Sequence, residues 1–220
     1  MDLPQQLTLD IQLDESVDLQ NFISCQSTNL TLEALKNFIK TESLIKSLFL
    51  WGKVGSGKEY LLQAVNKRFI DDNLKTAYIS FLDPGILKNP DVLIGLGSLD
   101  VVFIKDFQAL PKDSNWEISL FNLINTCLLE NTKLFFNSDI VAKDIEIKLP
   151  DLKSRILAFT AVEIPEITDE EKTKALFESA TRKGIDLDQR TLRYILNHTS
   201  RSLSDLLRLL SELDAFSLEK

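Results

Sequence analysis

The sequence predicts an α/β fold: a mostly parallel five-stranded sheet flanked by helices, followed by a small all-α lid domain. Three observations lead there. Between residues 31 and 164, short apolar runs alternate with stretches of helical periodicity, the pattern of strands joined by crossover helices. A glycine-rich turn, Gly52-Lys53-Val54-Gly55-Ser56-Gly57-Lys58, joins one apolar run to a helical stretch. After Pro165 the strand-like runs stop and only helical periodicity continues.

Each element follows in order. Residues 1–20 are polar with scattered leucines and several acids, which predicts an extended tail rather than a core element. Leu32, Leu35, Phe38 and Ile39 stand at helical spacing within residues 31–41. Residues 48–51 form a buried strand, and a helix follows over about 59–70. Residues 76–80 are a second strand. Val101-Val102-Phe103-Ile104 is a third, apolar throughout, as a strand covered on both faces must be. A helix over 118–129, a fourth strand at 134–136 and a fifth at 161–164 complete the sheet. Thr168-Asp169-Glu170-Glu171 then opens a helix, with acids where the helix dipole favours them. Helices are predicted over about 169–183, 188–198 and 202–215. The last carries Leu203, Leu206, Leu207, Leu210 and Leu213 as one stripe, read as lid core. The expected divisions are a tail at 1–20, an α/β domain at 21–165 and a helical domain at 166–220.

At 220 residues with 44% hydrophobic content, the chain can bury one medium core plus a small appendage. A net charge of −8 argues against broad contact with a nucleic-acid backbone. Cys25 and Cys127 are far apart and lack metal-ligand spacing, so reduced thiols in a cytoplasmic protein are expected. No stretch reaches membrane-spanning length, and the N-terminus lacks a signal-peptide layout. The single histidine, His198, reads as exposed or packed, and no Ser-His-Asp, Cys-His or zinc arrangement is visible.

The glycine-rich turn carries the chemistry. Its spacing is that of a phosphate-binding loop, Gly-x-x-x-x-Gly-Lys followed by Ser or Thr. Gly52, Gly55 and Gly57 let backbone N–H groups converge on phosphate oxygens at the positive end of the next helix, and Lys58 would reach the outer phosphates. The hydroxyl residue that should ligate Mg²⁺ is replaced by Glu59. In such folds an apolar strand ends in an Asp that holds the same metal, with a second acid after it. Here that strand ends Phe103-Ile104-Lys105-Asp106, so Lys105 takes the metal position and Asp106 the water-activating one. The two replacements are opposite in charge. A Glu59–Lys105 salt bridge is expected, with a Lys105–phosphate contact or two solvated side chains as the alternatives. Metal-assisted chemistry loses its scaffold in either of the first two cases. At the end of the fourth strand, Asn137 would reach the outer phosphate or its water. Ser154-Arg155, late in the last helix before the fifth strand, puts a guanidinium at the domain surface. Its planar fork suits a phosphate transition state. Arg201, ahead of the leucine stripe, could reach back to a nucleotide at the domain junction.

These pieces in this order resemble the DnaA clade of the AAA+ proteins, most of all its small regulatory paralogues, over nearly the whole chain. Asn21-Phe22-Ile23 is similar to the clade's adenine-flanking segment, and Trp116-Glu117 precedes a similar Phe121-Asn122-Leu123-Ile124-Asn125 helix. Leu149-Pro150-Asp151-Leu152-Lys153-Ser154-Arg155 is similar to its arginine-finger box, and Thr199-Ser200-Arg201 through Leu207 to its sensor-2 helix. Gln6-Leu7-Thr8-Leu9-Asp10-Ile11 resembles the clamp-binding peptide Gln-Leu-x-Leu-Pro-Leu, with Asp10 in place of proline.

The resemblance implies a cytoplasmic negative regulator of DNA replication initiation. Gln6, Leu7, Leu9 and Ile11 would dock on the DNA sliding clamp, an anchor-in-groove contact by an extended segment. Arg155 would act in trans on the DnaA initiator and promote its ATP hydrolysis. The loop would hold ADP or ATP through Phe22, Ile23, Gly52, Gly55, Ser56, Gly57, Lys58, Glu59, Asn137 and Arg201. Clade members more often keep Ser or Thr at position 59 and Asp at 105, so the departures imply a degenerate site that neither hydrolyses its own nucleotide nor depends on Mg²⁺. The chain would then be no enzyme itself but an activator of a partner ATPase. The initiator continues into a DNA-binding domain where this sequence stops, so direct sequence-specific DNA binding is not expected. Self-assembly stays open. The rival readings are a non-catalytic adaptor that recruits the initiator or a related AAA+ partner, and an ATPase working through Asp106 alone.

Overall fold

The computed structural model describes residues 17–198 except 23, 183 and 186, together with residues 205, 206 and 209. Gln6, Leu7, Leu9, Ile11, Ile23 and Arg201 lie outside the described residues.

Five parallel strands form one sheet in the order β2-β3-β4-β1-β5. They are β1 (Ser47–Trp51), β2 (Thr76–Ser80), β3 (Val101–Lys105), β4 (Lys133–Ser138) and β5 (Thr160–Glu163). The first of them lies between β4 and β5, while its crossover through helix α2 (Lys58–Asp71) leads to β2 at the far edge. Such a reversal opens a crevice at the carboxyl ends of the strands, where open α/β sheets bind their ligands.

Side-chain alternation splits the core in two. Leu48, Leu50, Val101, Phe103, Phe135 and Val162 face α1 (Asn29–Ile39) and α2, meeting Leu35, Phe38, Leu61, Val65 and Phe69. On the opposite face, Phe49, Val102, Ile104, Leu134 and Phe136 meet α3 (Ser114–Glu130) and α4 (Pro150–Leu157) through Trp116, Leu120, Ile124, Leu152 and Ile156. Strands buried on both faces must read as continuous apolar runs, as residues 48–50, 101–104 and 134–136 do. Phe136 ties the second layer together, its ring 5.0 Å from those of Phe107 and Phe159.

Several boundaries differ from the sequence reading, each for a local reason. The third and fourth strands run past their apolar cores to Lys105 and Ser138, because the backbone ladder continues between neighbours. Helix α3 starts at Ser114 because Asp113 caps it, accepting from the Asn115 N–H at 3.0 Å. Ile164 lies just past β5, yet its N–H still donates to the Trp51 carbonyl at 2.7 Å. The folded body takes in Val17, which is buried, and the Asp18 backbone exchanges hydrogen bonds with the Tyr60 hydroxyl. Residues 17–20 therefore pack on the body rather than extending the tail.

Past the sheet, α5 (Asp169–Arg182), α6 (Gln189–His198) and residues 205, 206 and 209 belong to the described part of the helical region. Thr168 and Glu171 make a reciprocal capping box: each side chain accepts the other's backbone N–H, at 3.1 and 3.0 Å. The Ser27 hydroxyl also donates to Glu171 at 3.0 Å, tying α5 to the segment before α1. Leu176, Ala180, Leu192 and Leu206 join the same apolar cluster as the α1–α2 layer. Of the leucine stripe, Leu206 is described and fully buried, as lid core requires.

Lys133 is a buried cation outside the candidate site. Its ammonium donates to the carbonyls of Phe38 (2.6 Å) and Lys40 (2.7 Å), which end α1, and stands over the rings of Phe38 and Phe69. Burial, with repulsion from Lys46, lowers its pKa from 10.5 to about 8. The unfolded chain therefore holds more protons between those values, and stability carried by this group rises with pH across that interval. Thermal denaturation of wild type and Lys133→Met should show wild type gaining on the variant from pH 8 upward. A constant difference across that range would overturn the assignment.

Candidate functional site

The loop between β1 and α2 is built for a phosphate. Gly52 N–H donates to the Ser138 carbonyl at 3.3 Å, so the loop starts pinned to β4. Gly55 and Gly57 have φ of +80° and +92°, a region that side chains with a Cβ rarely adopt. A Cβ on Gly52 would stand 2.9 Å from the Ile164 carbonyl oxygen, a backbone atom that cannot swing aside. Gly52→Ala should therefore cost about 1–3 kcal/mol of stability by overpacking, read from urea denaturation. A variant as stable as wild type would show that the loop relaxes freely.

No side chain caps α2, and its first-turn N–H groups open onto the loop. Lys58 is 8% exposed and curls inward. Its ammonium donates to the carbonyls of Gly52 (2.5 Å) and Lys53 (2.7 Å) and pairs with Asp139 at 2.9 Å. Asp139 is held in turn by reciprocal 3.1 Å bonds with the Gln108 side chain. The Ser56 hydroxyl is buried with no hydrogen-bond partner. An orphaned hydroxyl and an uncapped helix start fit a bound phosphate chain, which would satisfy both, while Lys58 would exchange one of its three present partners to reach it. Gly52, Gly55, Ser56, Gly57 and Lys58 would hold it.

Beside the loop, Glu59 and Lys105 form a salt bridge, as the opposite charges of the two replacements predict. Glu59 also accepts from the Tyr78 hydroxyl (3.4 Å) and the Gln63 amide (3.3 Å). Burial, then the nearby Glu59 carboxylate, holds the Tyr78 phenol above its ordinary range, so it stays a neutral donor. Asp106 sits in a left-handed turn with φ of +59°. Its backbone N–H donates to the buried Asn137 side chain at 2.8 Å, and its carboxylate accepts from the Ser80 hydroxyl at 2.9 Å. Asn137 thus shapes the turn that holds Asp106. The residues do not fit Mg²⁺ in the usual P-loop arrangement. The hydroxyl and carboxylate that would ligate it are a carboxylate and an ammonium already bound to each other. No group of three His, Cys, Asp or Glu residues able to hold a metal occurs among the described residues.

Phe22 is enclosed, 1% exposed and packed on Tyr60 with ring centroids 5.9 Å apart. Arg155 stands apart from the loop's network. Leu152 and Ile156 turn inward from α4, while Ser154 and Arg155 are exposed. Arg155 makes no ion pair among the described residues. The start of α4 is fixed by Glu117, a buried carboxylate that accepts the N–H groups of Lys148 (3.1 Å) and Leu149 (2.7 Å). Sequence reasoning did not assign Asp139, Gln108, Ser80 or Tyr78 to the site. Asp139 and Ser80 lie at or just past strand ends, which is the one signal that could have found them.

An uncharacterised protein of Haemophilus influenzae is 30% identical to this chain over 218 residues, covering 98% of it and 92% of the relative. Residues 169–220 match the family described as Hda, lid domain. The chain is an Hda-like, DnaA-related AAA+ protein. Solved structures agree on the fold of this Hda-like chain. Domain III of the Thermotoga maritima replication initiation protein DnaA superimposes with a TM-score of 0.74, at 18% identity, covering 94% of this chain and 90% of that one. AMPPCP-bound DnaA from Aquifex aeolicus gives 0.74 at 24% identity, covering 90% of this chain but 65% of the DnaA chain. No helix among the described residues is long and apolar enough to cross a membrane.

Proposed function

We propose that the chain is a negative regulator of DNA replication initiation that stimulates ATP hydrolysis by a DnaA-type initiator while docked on the DNA sliding clamp. The observation that carries this is Arg155: exposed, unpaired among the described residues, and displayed on a pinned helix of an Hda-like AAA+ body. The guanidinium would enter the initiator's site and stabilise charge developing on the transferred phosphoryl group. Gln6, Leu7, Leu9 and Ile11 would supply the clamp contact. ADP or ATP in the loop would act structurally, fixing the helical region against the sheet through Ile23 and Arg201, with the buried Phe22 and Asn137 supporting the site from behind. The chain would not turn over its own nucleotide, because Glu59 and Lys105 displace the groups that organise hydrolysis.

The test is initiator ATP hydrolysis, with and without this protein and clamp-loaded DNA, comparing wild type with Arg155→Ala. Stimulation that needs both the clamp and Arg155 supports the regulator. A clamp-dependent complex whose hydrolysis rate ignores Arg155 would leave the non-catalytic adaptor. Mg²⁺-dependent turnover by this chain alone, lost on Asp106→Asn, would return it to the ATPases.

A further inference from the structure

We propose that the loop takes its nucleoside diphosphate as the metal-free anion, with the Lys105 ammonium standing where P-loop enzymes place a divalent cation. The proposal rests on the nucleotide-binding reading of the loop. It follows from how Glu59, Asp106, Asp139, Lys58 and Lys105 are committed.

Three carboxylates stand near the phosphate side, and each is engaged. Glu59 is paired with Lys105 and accepts from Tyr78 and Gln63. Asp106 accepts from Ser80, with Lys105 4.0 Å away. Asp139 holds Lys58 and Gln108. A dication entering here would meet the Lys105 ammonium. To gain an oxygen ligand it would also have to break the Glu59 pair, whose side chains are 24% and 43% exposed for lysine and glutamate. Hard cations such as Mg²⁺ require near-ideal oxygen geometry and part with water reluctantly, so a half-made set of ligands does not hold one. A diphosphate would be met by the uncapped start of α2, and by the Lys58 and Lys105 ammoniums once they turn toward it from Asp139 and Glu59. The cation's usual place beside the phosphates would then be taken by the Lys105 ammonium, shared between the diphosphate and Glu59.

The test is calorimetric titration of the full-length protein with ADP, once in EDTA and once in excess Mg²⁺. The expected result is binding in EDTA at least as tight as in Mg²⁺. Binding that Mg²⁺ tightens by about tenfold or more would overturn the inference while leaving the nucleotide reading standing. Binding in neither condition would overturn both. The double substitution Glu59→Thr with Lys105→Asp restores the usual ligand types. It should convert the site to one that Mg²⁺ tightens by about tenfold or more. A folded double variant indifferent to Mg²⁺ would count against the proposal. Should that variant fail to fold, Lys105→Met read in EDTA decides instead. A loss of ADP affinity of about tenfold is expected, and unchanged affinity would refute the role of Lys105.

Discussion

Arg155→Ala is expected to remove the protein's stimulation of initiator ATP hydrolysis by about 10³-fold or more, the usual worth of an arginine supplied in trans. The same variant should melt at the wild-type temperature. Arg155 is exposed and makes no ion pair among the described residues, so its removal leaves no buried group unsatisfied. Leu152 and Ile156 hold α4 to the core from the opposite face and are untouched. Clamp binding should also survive, because the proposed clamp segment lies at residues 6–11. Arg155→Lys should behave nearly as badly as the alanine, since an ammonium lacks the planar two-pronged geometry that matches phosphoryl oxygens. Stimulation at the wild-type level by a folded Arg155→Ala protein would refute the role outright.

The Glu59–Lys105 pair shows what the sequence could disclose. Two positions that P-loop folds bring together carried substitutions of opposite sign, so topology and Coulomb attraction together predicted their contact. The strands were legible for a related reason: burial on both faces forces continuous apolar runs such as Val101-Val102-Phe103-Ile104. Lys133 was not legible. It directly follows Thr132 at the end of a helix–strand turn and reads as an ordinary surface lysine. Its burial depends on carbonyls at Phe38 and Lys40, far away in sequence. Val17 escaped for the same reason, since its neighbour Asp18 is fastened by Tyr60. The inward turn of Lys58 onto Asp139 requires β4 to lie beside β1, an order that no local pattern specifies. The Arg155 motif was visible, but the phosphate proposed for it belongs to another chain.

Glu117→Ala is expected to cost about 3 kcal/mol of stability, because two N–H groups lose a charged acceptor and are left partly buried without a partner. The carboxylate is 3% exposed and sits in the first turn of α3, where it also complements the helix dipole. Its two acceptor bonds hold Lys148 and Leu149, the residues that lead into α4. Loss of the acceptor should therefore loosen the platform under Arg155 without touching the phosphate loop. Stimulation of the initiator should fall while ADP affinity stays at the wild-type value, a split that general unfolding would not produce. Glu117→Gln keeps the shape and one carbonyl acceptor but turns a donor toward the second N–H, so it should fall between wild type and alanine in both stability and stimulation. Urea denaturation, ADP titration and the initiator assay on the three proteins separate these effects. If Glu117→Ala keeps full stimulation despite its lost stability, then α4 is positioned by Leu152 and Ile156 alone, and Glu117 supports the fold without placing the arginine.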